Sequence, residues 1–418
     1  MSGFANDVAH AGEAIRSLFL ATPLQENDYL SRKTGARVFL KREDLSPVRS
    51  YKIRGAYNFF RKALDAGSST KVFVCASAGN HAQGFAFVCR HLGRKGVVFM
   101  PVTTPQQKID KTKMFGGDAV EIRLVGDFFD ECYDAARAFA QESGGAMVPP
   151  FDHKDIIEGQ ATVAWEIDAQ LPDGLKADLV IMPVGGGGLA AGVTRYLAET
   201  DATPQIAFAE PSGAPSLKLS LSSGKRQKLG KVDNFVDGAA VAEIGKENFR
   251  LLKHFDEAQV RLIPENRLCA TMIELLNVEG IVLEPAGALA IDALKEFSRK
   301  ELKGRVVVLI VSGGNFDFER LPDIKERALR FDGLKKYFVF RFPQRPGALR
   351  AFLDLLGPDD DISRFEYLKK SARNFGSVLI GIETKDRANF DILRKRFDAS
   401  GWAYQDITDN ETLAGLII

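Results

Sequence analysis

Cysteine is scarce: four residues in 418 (Cys75, Cys89, Cys132 and Cys269), with no C-x-x-C pair among them. That spacing excludes a disulfide framework and a cysteine zinc site, and reads as reduced, packed thiols of the cytosol. An excess of one charge is missing too. Fifty-six Lys and Arg oppose 55 Asp and Glu, a net of +1, so no field exists to recruit nucleic acid or an anionic membrane. No apolar run approaches the roughly 20 residues of a membrane helix, and residues 1–20 lack the basic start and long apolar core of a signal peptide. These absences leave a cytoplasmic globular protein, long enough for two or three domains.

What is present is a recurring unit. Between about residues 70 and 315, short β-branched or aromatic runs lead into Gly-rich turns and then helical stretches, at 71–75, 97–100, 119–124, 179–182, 206–209 and 306–311. Continuous apolar strands alternating with helices predict a buried parallel sheet covered on both faces, with ligands at the carboxyl ends of the strands. After Asn315 the texture changes. A charged helix over 321–331 and a hinge at Asp332-Gly333 precede a strand over 337–342, a helix over 348–356 and strands over 362–368 and 377–383. A helix over 389–397 and a last strand near 403–407 complete the run. The order β-α-β-β-α-β is the ferredoxin-like arrangement. The expected division is a catalytic domain of two α/β subdomains over 1–320, a linker over 321–334 and a small α+β domain over 335–418.

Three glycine-rich strand exits carry the chemistry. Ser77-Ala78-Gly79-Asn80-His81 precedes a helix, whose first-turn N–H groups have no internal partner and so attract an anion, although an ordinary capped turn reads the same way. Val184-Gly185-Gly186-Gly187-Gly188-Leu189 lets the backbone wrap a phosphate closely. A rival reading takes Gly186-x-Gly188-x-x-Ala191 as a dinucleotide fingerprint with Glu210 as its ribose acid, but that fingerprint normally opens the first unit of its domain. Ser312-Gly313-Gly314-Asn315 offers a hydroxyl that is either a helix cap or a partner for a ring nitrogen. Lys52, within Ser50-Tyr51-Lys52-Ile53-Arg54-Gly55-Ala56, reads by itself as a solvated surface lysine. Buried, it would have the depressed pKa that imine chemistry needs.

Taken together, these runs and Glu284-Pro285-Ala286-Gly287-Ala288 occur in an order that resembles the threonine/serine dehydratases of the tryptophan-synthase-β-like (fold type II) pyridoxal-phosphate family. The resemblance extends from Thr22-Pro23-Leu24 to the C-terminus. It implies pyridoxal 5'-phosphate on Lys52 as a Schiff base, with Tyr51 where the family has phenylalanine. Asn80 would face the pyridine 3-hydroxyl, Gly185, Gly186, Gly187, Gly188 and Leu189 the phosphate, and Ser312 the ring nitrogen. Ser77, Ala78, Gly79, Asn80 and His81 would receive the substrate. Related racemases have a serine where Ala78 stands, so elimination is expected without racemisation. Ser216 replaces the aspartate of the family's cation loop (Glu210 to Ser216), so no metal is expected.

Arg341-Phe342-Pro343-Gln344-Arg345-Pro346-Gly347-Ala348-Leu349 and Phe365-Glu366-Tyr367-Leu368-Lys369 resemble one ACT-like regulatory domain of the biosynthetic threonine dehydratases. The implied activity is that of an allosteric lyase: deamination of threonine to 2-oxobutanoate at the first committed step of isoleucine biosynthesis, with isoleucine as inhibitor. The implied assembly is a homotetramer or homodimer. A nicotinamide dehydrogenase and a non-catalytic amino-acid sensor are the competing classes, and a purely structural dimerisation module competes for the C-terminal domain.

Overall fold

The computed structural model describes residues 3–67, 70–200, 202–367 and 374–410. The chain divides into two compact units, residues 1–268 with 275–317, and residues 318–418 with 269–274. The first opens with strands Leu24–Glu26 (β1) and Arg37–Arg42 (β2). Then come Val72–Ala76 (β3), Lys95–Met100 (β4), Val120–Leu124 (β5) and Ala146–Met147 (β6). Leu179–Pro183 (β7), Gln205–Pro211 (β8), Val260–Ile263 (β9) and Val306–Val311 (β10) complete the unit.

These strands form two sheets. The parallel sheet β5-β4-β3-β6 is separate from a six-stranded sheet β1-β2-β10-β7-β8-β9, parallel except for its antiparallel edge β1. Burial explains the order. β7 and β10 are buried at every position and lie centrally, whereas β5 exposes Glu121 and Leu124 and forms an edge. Four strands, β1, β2, β6 and β9, had no counterpart in the sequence reading, and β1 and β6 are only three and two residues long. β2 carries charges at both ends and β9 has four residues, so neither shows a clear apolar run. Both find their place by pairing in parallel, β2 with β10 and β9 with β8.

The helix Lys52–Asp65 starts beside the exit of β10, and the backbone there is held in an unusual state. Arg49 has φ +56°, a left-handed conformation that a non-glycine residue adopts only when its surroundings enforce it. Its carbonyl accepts from the Gly314 N–H at 2.9 Å, and its Nε donates to the Gly314 carbonyl at 3.0 Å. Ser50 pairs with Gly313, and the Tyr51 N–H donates to the Ser312 carbonyl at 3.1 Å. Lys52 is thereby brought to the carboxyl end of the large sheet.

In the second unit, the segment expected as a linker is helical over Leu321–Phe331. Strands Lys335–Pro343 (β11), Asp360–Tyr367 (β12), Phe375–Thr384 (β13) and Tyr404–Asp406 (β14) form an antiparallel sheet in the order β12-β13-β11-β14. With helices Ala348–Leu353 and Asn389–Ala399 the order is β-α-β-β-α-β. Phe338, Phe340 and Phe342 alternate along β11 and pack with Phe352, Phe390 and Phe397. The first helix stops at Leu353, short of residue 356, because Leu355 and Leu356 donate to Phe352 and Leu353 in tighter three-residue turns. The expected end of the next strand, at Leu368 and Lys369, lies outside the described residues.

Candidate active site

Lys52 is half-buried, and among the described residues no carboxylate touches it. Its Nζ donates to the Pro150 carbonyl at 3.0 Å and lies 5.3 Å from the centre of the Tyr51 ring and 5.8 Å from that of Phe151. Burial lowers its pKa from 10.5 to about 8, and the Glu284 charge offsets only part of that effect. An appreciable neutral fraction therefore exists near physiological pH.

Phe151 links this amine to the glycine loop. A Cβ on Gly186 would lie 2.4 Å from the Phe151 ring, one on Gly188 would lie 2.9 Å from the Phe151 carbonyl, and one on Gly185 would lie 2.9 Å from Ala239 Cα. Gly187 has φ +88°. The loop can therefore take this path only as glycine. The Gly186 carbonyl accepts from Asn248 Nδ2 at 2.7 Å and the Gly245 N–H at 3.1 Å. The N–H groups of Gly185, Gly186 and Gly187 have no hydrogen-bond acceptor among the described residues. They adjoin the start of the helix Gly188–Ala198, with Leu189 buried beneath it. Free donors leading into a helix N-terminus form a phosphate cradle. The residues thus fit pyridoxal phosphate at both ends, with an amine on one side and an anion cradle on the other.

The exit of β3 supplies the opposite wall. The Ser77 N–H is bound to the Phe99 carbonyl, and the Ser77 hydroxyl accepts from the Gly79 N–H at 3.2 Å. Asn80 and His81 begin the helix Asn80–His91, so their N–H groups lack internal acceptors. Ala78 packs on the apolar core of the small sheet and brings no hydroxyl. The His81 ring turns away to the Val148 carbonyl at 2.9 Å. Burial, with the Lys52 charge, lowers its pKa to about 4. A neutral ring facing a carbonyl must carry its proton on Nε2, so that nitrogen is committed to Val148 and the donor His81 offers at the helix start is its backbone N–H. Asn80 donates to Glu284 Oε1 at 2.6 Å and accepts from Asn315 Nδ2 at 2.7 Å. The Ser312 hydroxyl donates to the Ala286 carbonyl at 3.2 Å, on the same side as Glu284.

Glu210 does not serve a ribose. It is buried, and its carboxylate accepts from the Leu217 N–H at 2.7 Å, the Lys218 N–H at 2.9 Å and the Ser216 hydroxyl at 3.4 Å. Desolvation raises its pKa to about 8. The acid that the dinucleotide reading needs is thus committed to a helix start.

Two features went unnoticed in the sequence. One is the role of Glu284, quoted there only as part of a motif. The other is a buried ion cluster behind Lys52. Arg54 binds Glu43 at 2.7 and 2.8 Å and Glu166 at 2.9 and 2.7 Å, and Lys41 Nζ binds Glu166 at 2.6 Å. The only signal was a set of charges inside otherwise apolar stretches, which a single sequence does not distinguish from surface charge.

Comparison with known proteins agrees with this geometry. Residues 15–313 match the model of pyridoxal-phosphate dependent enzymes, and residues 326–417 match the C-terminal regulatory domain of threonine dehydratase. The biosynthetic L-threonine dehydratase of Halalkalibacterium halodurans is 43% identical over 99% of this chain and 98% of its own. That of Corynebacterium glutamicum is 46% identical over 95% and 91%. Among solved structures, threonine deaminase isoform 2 of Solanum lycopersicum aligns with a TM-score of 0.70 and 36% identity, covering 78% of this chain and 87% of that one. Relatedness over nearly the full length, and two family matches in the same order, lead to one conclusion: the chain belongs to the family of biosynthetic L-threonine dehydratases, pyridoxal-phosphate-dependent enzymes with a C-terminal regulatory domain.

Proposed function

We propose that this chain converts L-threonine to 2-oxobutanoate and ammonia in the cytoplasm, with Lys52 as both the anchor of pyridoxal 5'-phosphate and the base of the reaction. One observation carries the reading: a lysine of depressed pKa faces, across Phe151, a glycine loop with free N–H groups. Bound there, the cofactor supplies the electron sink that acidifies the substrate Cα–H. The chain's residues direct that chemistry. The N–H groups of Gly185, Gly186 and Gly187 hold the phosphate, and Asn80 and Ser312 orient the ring. The first-turn N–H groups after Ser77 hold the substrate carboxylate. The neutral amine of Lys52 takes the Cα proton; the β-hydroxyl departs as water, and the released enamine hydrolyses to the keto acid and ammonia. With Ala78 in place of serine, no hydroxyl stands there to return a proton to the second face, which favours elimination over racemisation.

The test is Lys52→Ala. The expected outcome is loss of the visible-edge absorbance and at least about a thousandfold loss of 2-oxobutanoate formation, with the fold retained by circular dichroism. Turnover near the wild-type rate would refute the assignment.

The second unit would bind isoleucine. A cavity of about 570 Å³ beside the turn after β11 is lined by Arg341, Arg345, Phe375 and Trp402. Guanidinium groups suit a carboxylate and aromatic walls suit a branched apolar side chain. Isoleucine is expected to slow threonine turnover by the full-length protein and to raise its melting temperature. Arg345→Ala should weaken both effects while leaving uninhibited turnover within about twofold. The working assembly in this reading is a homodimer or homotetramer, which sedimentation of the full-length protein would check.

A further inference from the structure

We propose that Glu284 is a positioning residue which, with Asn315, fixes the orientation of the Asn80 carboxamide toward the cofactor ring. This inference rests on the cofactor reading above. Asn80 stands on the exit of the small sheet, while Glu284 precedes the helix Pro285–Asp292 and Asn315 follows β10. Three separate segments therefore meet in one hydrogen-bond chain. The Asn80 amide nitrogen donates to Glu284 Oε1 at 2.6 Å, its oxygen accepts from Asn315 Nδ2 at 2.7 Å, and Asn315 Nδ2 also donates to the Val48 carbonyl at 2.8 Å.

A carboxylate only accepts, so an ionised Glu284 dictates that the nitrogen of Asn80 faces it. One N–H of Asn80 is then committed, and the other is left for the cofactor's ring oxygen. The backbone accommodates this arrangement. A Cβ on Gly313 would lie 2.1 Å from Glu284 Oε1, so the glycine after Ser312 is what admits the carboxylate. Asn315 enforces the same orientation: its Nδ2 is held by the Val48 carbonyl, so a donor faces Asn80 and only the Asn80 oxygen can meet it. Protonation of Glu284 weakens the other side of this hold, because a neutral carboxyl is a poorer acceptor than a carboxylate. The Glu284 proton is set by opposing neighbours: burial and Asp237 favour it, while Asn80 and the charges of Lys108 and Lys111 oppose it, and Lys52 faces the same carboxyl. Its pKa is raised to about 7.

The test uses full-length protein and reads cofactor affinity, not turnover alone. Pyridoxal 5'-phosphate dissociation is measured across about pH 6 to 8 for wild type, Glu284→Gln, Asn80→Ala and the double variant, alongside the melting temperature of the cofactor-free proteins. Glutamine keeps the size but neither the charge nor the titration. The expected result is about tenfold weaker binding by Glu284→Gln at pH 8 and a shallower pH dependence, the part set by Lys52 remaining, with less than about twofold added once Asn80 is gone. Asn315→Leu should weaken binding in the same direction. Binding by Glu284→Gln within about twofold of wild type with the same pH dependence would overturn the proposal. So would losses that add in the double variant and follow the melting temperature. A wild-type protein that takes up no cofactor would overturn this inference and the cofactor reading together, whereas those results overturn this inference alone.

Discussion

Lys52 and Arg54 stand two residues apart on one helix, and their surroundings shift their pKa values in opposite directions. Around Lys52 are two aromatic rings and one backbone carbonyl, and its pKa drops to about 8. Around Arg54 are the carboxylates of Glu43 and Glu166 and the hydroxyls of Thr22 and Thr162, and its pKa is pushed above the usual guanidinium range. Desolvation penalises both cations. What differs is the supply of counter-charge. A half-buried amine with no contacting carboxylate among the described residues loses its proton more easily; a buried guanidinium with two stays charged. Lys41 falls between them: it touches Glu166, yet its pKa is also lowered to about 8 by burial and by the neighbouring Arg54.

The comparison breaks most visibly if Arg54 is given the environment of Lys52. Glu166→Ala leaves Arg54 with Glu43 alone and Lys41 with no ion-pair partner in contact, so two buried cations lose their shared anion. Stranding a buried charge costs about 3–5 kcal/mol, and chemical denaturation of the full-length protein should show a loss of that size. A loss below about 1 kcal/mol would mean that the cluster behaves like a surface ion pair.

Glu210 is the acidic counterpart, buried with backbone donors but, among the described residues, no contacting cation. Its folded pKa of about 8 lies above the unfolded value near 4.5. Between those values the folded state holds the extra proton, so its contribution to stability is complete below about pH 4.5 and is lost as pH rises through about 8. Glu210→Gln gives up one acceptor, because Oε1 and Oε2 each accept a backbone N–H, so it should lower the melting temperature at about pH 5 and lower it less, or raise it, at about pH 8. Some pH dependence should survive in the variant, because Glu284 is raised in the same direction.

The fold was legible where one physical signal dominated. The apolar run over 306–311 and the alternating phenylalanines of β11 each announced their strand. β2 and β9 did not, because their burial comes from sheet neighbours distant in sequence. Two α/β subdomains were expected, but which strand joins which sheet was not legible, since pairing between strands leaves no local trace. At the site, the glycine exits stood out in the sequence as candidate anion cradles. Lys52 became legible only through the order of the motifs, and the Arg54 cluster and the Glu284 contact to Asn80 not at all. The Arg54–Glu166 and Asn80–Glu284 pairings span more than a hundred residues of chain, and no spacing rule encodes them.

The smallest expected effect bears most directly on Lys52. In the cofactor-free protein its folded pKa of about 8 lies below the unfolded value of 10.5. Between these values the unfolded chain binds more protons, so stability should rise with pH from about 8 to about 10.5. Lys52→Met removes this contribution, and the rise should flatten. It should not vanish, because Lys41 is depressed to a similar value and contributes with the same sign. Melting temperatures of wild type and Lys52→Met, measured without cofactor at about pH 7.5, 9 and 10, decide the matter. Parallel curves would mean that Lys52 titrates like a solvated lysine, and its contrast with Arg54 would then reduce to the difference between an ammonium and a guanidinium.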